Sequence, residues 1–411
     1  MSYRPSVRAP PKKDTRMEAP NAILALNGGS SSLKFALYQF AAGTETLLAR
    51  GEAEEIGLPQ GRLQISGTSP DQSLDIPCPF KDHGAALVRI QDELTKCQLP
   101  KPVAVGHRFV NGGPDYSEPQ RITPEVLARL RALVHLAPLH TPTELRIIDA
   151  VAAHSPGVPQ VACFDTAFHR RMPELAQRLP LPRTLWEEGV RRYGFHGLSY
   201  EYIVEKLGAL GTDVRRQRVV IAHLGNGASL AAVRDGRSVD TTMGLTPTGG
   251  VMMGTRTGDL DPGVLLYLLR EKHYDSAKIE HVVDHESGLL GVSETSSDMK
   301  TLLDHSDSDP RARLAVEMFC YSVRKQIGAL AAVLGGLDAL VFAGGIGERS
   351  ATVRARICDE LGYLGARLDP GRNTAGAELI SAASSACTVR VIVTNEELMI
   401  ARHVNRLLFA V

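Results

Sequence analysis

Residues 23–38 read ILALNGGSSSLKFALY, and residues 220–236 read VIAHLGNGASLAAVRDG. Each stretch runs as an apolar strand, a turn of Gly, Asn and Ser, and a second apolar strand, which is the pattern of a β-hairpin. Setting Leu26 against Leu224 places Asn27-Gly28-Gly29 opposite Gly225-Asn226-Gly227, and Ser32-Leu33 falls one place from Ser229-Leu230. The offset of roughly 200 residues is far longer than a solenoid repeat. The pair therefore predicts two similar domains, each lending one glycine hairpin to a shared cleft in which backbone N–H groups hold a nucleotide's phosphates.

Outward from these hairpins, apolar β-rich runs recur at 22–26, 103–105, 158–164, 219–222, 339–343 and 389–393, separated by helical periodicity over stretches such as 124–134 and 311–334. That alternation predicts an α/β fold. Several runs end in Gly, Asn, Asp or His, where ligands of α/β proteins gather at the carboxyl ends of strands. Lys+Arg and Asp+Glu number 46 each, so the net charge of +0 supplies no global field for nucleic acid or anionic lipid. The longest apolar stretch, Ile327 to Leu337, carries two glycines and is too short to span a membrane. Six scattered cysteines, none in a C-x-x-C pair, read as reduced thiols of a cytoplasmic protein. The basic, proline-rich residues 1–20 have no apolar core of a secretory signal and read as a flexible tail.

NGGSSSLK (27–34) offers what an anion cradle needs: close-approach glycines, three hydroxyls and Lys34 as a point charge. Standing alone, it reads equally as a plain hairpin turn. No Gly-Lys pair exists, so the Walker loop is absent, as are the protein-kinase signatures and the G-x-S-x-G elbow. Polar clusters between apolar runs stand at 106–113, 136–142, 164–169, 191–200, 243–263, 287–300, 342–349 and 394–398. Singly each has a plain reading: His107 and His169 as hydrogen-bonded structural histidines, Asp259 and Asp261 as caps of a helix starting near Pro262. Together they hold arginines, histidines, carboxylates and glycine loops without metal-ligand spacing such as H-E-x-x-H, a set that suits phosphoryl transfer.

MGTRTGDLDPG, RRYGFHG, HLGNGAS, GGIGE and TNEEL, in their order along the chain from about residue 22, closely resemble the acetate/propionate kinase family. The resemblance implies the actin-like ATPase fold shared by sugar kinases, actin and heat-shock chaperone ATPases. It gives the paired hairpins a reason. The domains it implies are 21–165 plus 398–411, and 166–397 with the nucleotide site and a homodimer interface. By resemblance, Arg108 and Arg256 are the substrate- and transition-state-binding arginines, Asp165 the active-site aspartate and His196 the transition-state histidine. Asn27 and Glu396 match the Mg²⁺-associated positions, with Mn²⁺ able to substitute, and Lys34 matches the first-loop lysine. Nucleotide contacts fall on His223, Leu224, Gly225, Asn226 and Gly227, on Asp298, Met299 and Lys300, and on Gly344, Gly345, Ile346, Gly347 and Glu348. The methyl of acetate is expected against Val110, Leu139, Phe195 and Pro247. The chain departs from the family pattern at Asn111, Thr141, Leu198, Tyr200, Thr248-Gly249 and Lys300, none of them a proposed catalytic group.

The activity implied is reversible, Mg²⁺-dependent conversion of ATP and acetate into ADP and acetyl phosphate by direct in-line transfer. A carboxylic acid of pKa near 4.3 is ionised at neutral pH, so Asp165 has no proton to remove and is expected to orient Arg108 or metal-bound water. A phosphorylated Glu396 intermediate is the minor alternative. The rival functions are a propionate or longer-chain acylate kinase and, more remotely, a non-catalytic actin-like nucleotide-binding module.

Overall fold

In the computed structural model, which describes residues 20–41, 43–69 and 72–410, each apolar run becomes a strand that is buried along most of its length. The first half contributes β1 (Asn21–Gly28), β2 (Leu33–Ala41), β3 (Thr44–Glu54), β4 (Arg62–Gly67), β5 (Leu74–Pro77), β6 (Ala104–Phe109), β7 (Gln120–Arg121) and β8 (Gln160–Phe164). They form one sheet in the order β5-β4-β3-β2-β1-β6-β8-β7. The second half contributes β9 (Val219–Leu224), β10 (Ala228–Arg234), β11 (Arg237–Thr241), β12 (Ala339–Ala343) and β13 (Thr388–Val391). Its order is β11-β10-β9-β12-β13. The tail expected over residues 1–20 lies outside the described residues, apart from Pro20.

The five central strands repeat. β1 pairs antiparallel with β2 and parallel with β6, which pairs parallel with β8. β9 likewise pairs antiparallel with β10 and parallel with β12, which pairs parallel with β13. Both quoted stretches are hairpins, and the first keeps pairing out to Gly28↔Leu33 while the second closes at Leu224↔Ala228.

Parallel strands need both faces covered, which is why the central runs are apolar throughout instead of alternating. On the first sheet, helices His83–Lys96 and Thr141–His154 bring Leu87, Ile90, Ile147 and Val151 against Leu24, Leu26 and Leu33. The opposite face is covered by helix Glu396–Leu408, whose Met399, Ile400 and Val404 pack on Ile23, Ala25 and Ala104. On the second sheet, the long helix Pro310–Leu334 supplies Phe319, Val323 and Ile327 against Val220 and Ala222. Helix Gly197–Ala209 covers the other face with Tyr200, Ile203 and Leu207. Pro310 follows an Asp309 cap, and Gly335 ends the helix in the left-handed conformation at φ 73°. The apolar stretch at 327–337 thus belongs to a core helix and its cap. No described helix is long and apolar enough to cross a membrane, and all six cysteines are free thiols.

Asp261 caps helix Pro262–Arg270, as its spacing predicts. Asp259 does something else: its Oδ1 accepts from the Gly250 N–H at 2.7 Å and closes the glycine turn on the other side of the segment. His107 and His169 are structural, as expected. His107 Nε2 lies 2.7 Å from Gln160 Oε1, while His169 reaches Ser238 Oγ at 2.8 Å and the Phe195 carbonyl at 2.9 Å.

Burial lowers both imidazoles from 6.5 to about 4. Between those values the unfolded chain binds protons that the folded chain refuses, so stability falls as pH drops from about 6.5 towards 4. Urea unfolding at steps from pH 7 to 4.5 should show this slope, and His107→Gln should make it shallower. Identical slopes would show that His107 is not among its sources.

Candidate active site

The carboxyl ends of three neighbouring parallel strands deliver Asn27 on β1, Arg108 on β6 and Asp165 just past β8 to one place. Arg108 Nε and Nη2 both donate to Asp165 Oδ2, at 3.0 and 2.5 Å, and Nη1 stands 3.5 Å from Asn27 Oδ1. Glu396, the first residue of the last helix, places Oε2 3.9 Å from Arg108 Nε. It also accepts from Asn27 Nδ2 at 3.0 Å. Burial disfavours the Arg108 charge, but Asp165, Glu396 and Glu144 outweigh it, and the guanidinium is held above its ordinary value. Asp165 is wholly buried, and its second oxygen, Oδ1, has no hydrogen-bond partner. Lys34 is exposed on β2, in register with Asn27.

The second half faces this cluster with two stacked imidazoles. His196 and His223 lie with ring centroids 4.3 Å apart. His196 Nδ1 is 2.8 Å from Ser229 Oγ, which is 2.5 Å from the Tyr200 hydroxyl. His223 Nδ1 is 2.8 Å from Ser199 Oγ, and Thr394 Oγ1 donates to the same oxygen at 2.8 Å. His196 adopts φ 59°, a left-handed conformation that costs a non-glycine residue about 1–2 kcal/mol. It turns the chain directly into helix Gly197–Ala209. The Gly197 N–H then donates to the Asp165 carbonyl at 2.9 Å, an approach so close that a Cβ on Gly197 would lie 2.0 Å from that oxygen.

Burial, His223, Arg108 and Arg256 together hold His196 well below 6.5. Burial puts His223 at about 4, and burial with the two arginines puts His140 at about 3. His196 is therefore an uncharged imidazole at physiological pH. Arg256 Nη1 donates to the Pro247 carbonyl at 3.1 Å. Gly227 sits where a Cβ would be 3.4 Å from Arg256 Nη1 and 3.6 Å from His196 Nε2, so the glycine hairpin, the arginine and the imidazole edge adjoin one another.

The three segments expected to hold nucleotide are built differently. Gly225–Gly227 closes the β9–β10 hairpin through Gly225 N–H to Gly227 O at 3.0 Å, and Asn226 O accepts from Gly254 N. Gly344 sits at φ 73° with its α-carbon against the Leu224 carbonyl, where a Cβ would come within 2.7 Å. Only glycine brings β12 that close to the hairpin. Gly345 has open space around it. Glu348 turns inward and accepts from the N–H groups of Gly344 and Thr394 at 3.0 and 3.1 Å. Asp298 caps helix Met299–His305, Met299 joins the core, and Lys300 pairs with Asp304 at 2.9 Å on the surface. Ile346 packs at the core's edge. The side chains of Leu224, Met299 and Glu348 are thus turned into the protein, and Lys300 lies on the surface beside Asp304.

Of the four expected acyl-wall residues, Leu139 and Pro247 line a cavity of about 500 Å³ with His140 and Arg256. Val110 and Phe195 are buried in the apolar cluster behind it. Among the departures, Asn111 and Thr141 are fully buried, with Asn111 Nδ2 and Thr141 Oγ1 left without partners. Leu198 and Tyr200 pack along helix Gly197–Ala209, and Thr248 Oγ1 donates to Asp284 at 2.5 Å.

Sequence reasoning missed Glu144. It lies on helix Thr141–His154 with 2% exposure, and both carboxyl oxygens face the Val110 N–H, at 3.1 and 3.3 Å. Its signal was present in the spacing: Glu144 falls on the face that Thr141, Leu145 and Ile148 bury.

The Acetokinase family model matches residues 22–402. The chain is 49% identical over 395 residues to an acetate kinase of Rhodopseudomonas palustris, an alignment covering 94% of this chain and 98% of that protein. It is 44% identical to a propionate kinase of Citrobacter rodentium, covering 94% of this chain and 97% of that one. The crystal structure of Porphyromonas gingivalis acetate kinase superposes with TM-score 0.82 at 39% identity, covering 93% of this chain and 98% of that chain. With the five-strand pattern repeated in both sheets and the cluster of arginine, aspartate and histidine side chains, these likenesses place the chain in the acetokinase family.

Proposed function

We propose that the chain transfers the γ-phosphoryl group of ATP to acetate, reversibly, giving ADP and acetyl phosphate. The observation that carries this reading is the pair of arginines: Arg108, aimed by Asp165, and Arg256, aimed by the Pro247 carbonyl beside the Gly225–Gly227 hairpin. An acetate oxygen, already ionised, attacks phosphorus as the bond to the ADP oxygen breaks, so no base is required. The planar guanidinium groups accept the charge spread over the equatorial oxygens, and His196 adds a neutral N–H donor.

Asn27 and Glu396 are the residues that would hold Mg²⁺, which neutralises phosphate charge when bound. Their hard oxygen donors suit it. No cluster of three or more His, Cys, Asp or Glu side chains fit for a metal exists among the described residues. A short protein ligand set agrees with Mg²⁺, which takes one or two carboxylates and fills its octahedron with water and substrate phosphate. The partnerless Asp165 Oδ1 stands ready to accept from such a water.

The reading extends to a homodimer of the second half. Helix Pro262–Arg270 buries none of its residues, and Val264, Leu266, Tyr267 and Leu269 are 40–50% exposed, a face that a second copy of the chain would cover. It also extends to domains of 21–165 plus 398–411 and 166–397, and to a cytoplasmic setting consistent with six free thiols. A propionate kinase is the second reading, favoured by the 44% identity to the Citrobacter rodentium propionate kinase.

Two measurements test this function. In a coupled assay of ADP release, acetate should exceed propionate by roughly tenfold in kcat/KM, since one methylene in an apolar pocket is worth about 1–3 kcal/mol. Preference for propionate would transfer the assignment to the second reading. Arg108→Lys and Arg256→Lys keep the charge but lose the planar fork, and each should lower kcat on the order of 10²-fold. Near-normal turnover in both would remove the arginines from the mechanism.

A further inference from the structure

We propose that Glu144 is a positioning residue for the acylate: it clamps the Arg108–Val110 end of β6 to the helix that follows the Leu139–His140 wall, fixing the two sides of the acyl site relative to one another. The inference rests on the phosphotransferase reading above.

The geometry is a main-chain accounting problem. β6 ends at Phe109, whose carbonyl accepts from the Asp165 N–H at 3.0 Å. Beyond it, the Gly112 N–H donates to Thr166 Oγ1 and the Gly113 N–H to Asn111 Oδ1. The Val110 N–H stands between these, buried, and its acceptor is the Glu144 carboxyl, with the two oxygens at nearly equal distances. Arg108 lies two residues before that amide. On the other side, the Glu144 N–H donates to the His140 carbonyl at 3.2 Å, one turn back on the helix. Leu139 and His140 line the cavity beside Arg256. One carboxyl therefore joins strand end and pocket wall, and without it a buried N–H would lose its partner, which costs more than an average hydrogen bond contributes.

The charged groups facing Glu144 are Arg108 from β6 and Asp165 beyond β8, and Arg108 is already engaged by Asp165, while His140, the cap residue of the same helix, is held neutral by burial and the two arginines. Burial pushes Glu144 up to about 8. Near neutral pH it serves as an uncharged acceptor, a role that glutamine can fill. Above pH 8 it gains a negative charge beside the site for an anionic substrate.

Steady-state kinetics on the full chain test this. Glu144→Ala should raise KM for acetate about tenfold or more, with KM for ATP within about twofold, because only the acyl side loses its clamp. Glu144→Gln should restore acetate KM at pH 7. Between pH 7 and 9, acetate KM should rise in the wild type and stay flat in Glu144→Gln, a difference that a merely structural role would not produce. If Glu144→Ala fails to fold, the pH comparison of wild type with Glu144→Gln decides. An unchanged acetate KM in Glu144→Ala, an equal rise in both substrates' KM, or a parallel pH rise in Glu144→Gln would overturn the proposal while leaving the kinase reading intact. A wild type that phosphorylates no short acylate would overturn both.

Discussion

The buried contact between Arg108 and Asp165 organises everything around it. Arg108 and Asp165 come from adjacent parallel strands whose register, Phe109↔Phe164, brings both residues to the same sheet edge. Removing either partner would strand a charge in the interior, typically at a cost of about 3–5 kcal/mol. From this pair, contacts run outward to Asn27 and Glu396 through the guanidinium, and to helix Gly197–Ala209 through the Asp165 carbonyl. Asn27, Arg108 and Asp165 belong to the first half of the chain, while Gly197 and Glu396 reach them from beyond it.

Two arginines facing a common space impose a second constraint. Any further cation there would meet both repulsion and desolvation, and His140, His196 and His223 respond by staying neutral. The Nδ1 atoms of His196 and His223 meet Ser229 and Ser199, whose hydroxyls are in turn bonded to Tyr200 and Thr394, groups that add no charge. The site thus holds its charge on the guanidinium groups and leaves its imidazoles uncharged. A helix of unstrained sequence would not place His196 there. Its left-handed backbone is what swings the ring towards the hairpin.

Much of this was legible beforehand because it is local. A parallel strand reads as an unbroken apolar run, and a hairpin carries its turn residues with it, so β1, β2, β9 and β10 and the duplication they imply could be seen in the two quoted stretches. The strands β3 to β5 were not legible, since they are half-exposed and short or alternating, with no unbroken apolar run. Asp259 and Glu144 escaped for another reason. An aspartate before Pro262 looks like a cap, and a glutamate early in a helix looks solvated, until tertiary contacts show one holding a glycine turn and the other a strand end. The side-chain occupancy of Lys300 and Glu348 was equally invisible, since motif resemblance reports position and not which partner a group has taken.

The last helix, Glu396–Leu408, bears on how the molecule is born. It closes the face of the first sheet that Ile23, Ala25 and Ala104 would otherwise leave open, and it brings Glu396 to Arg108. During synthesis from the N-terminus, the first half must therefore wait, with that apolar face uncovered, until the final residues emerge from the ribosome. The second sheet, covered by helices Gly197–Ala209 and Pro310–Leu334, draws its cover from segments nearer in the chain. Vectorial synthesis consequently leaves the apolar face of Ile23, Ala25 and Ala104 open for longer than any face of the second sheet, and that face is where premature association of nascent chains would begin.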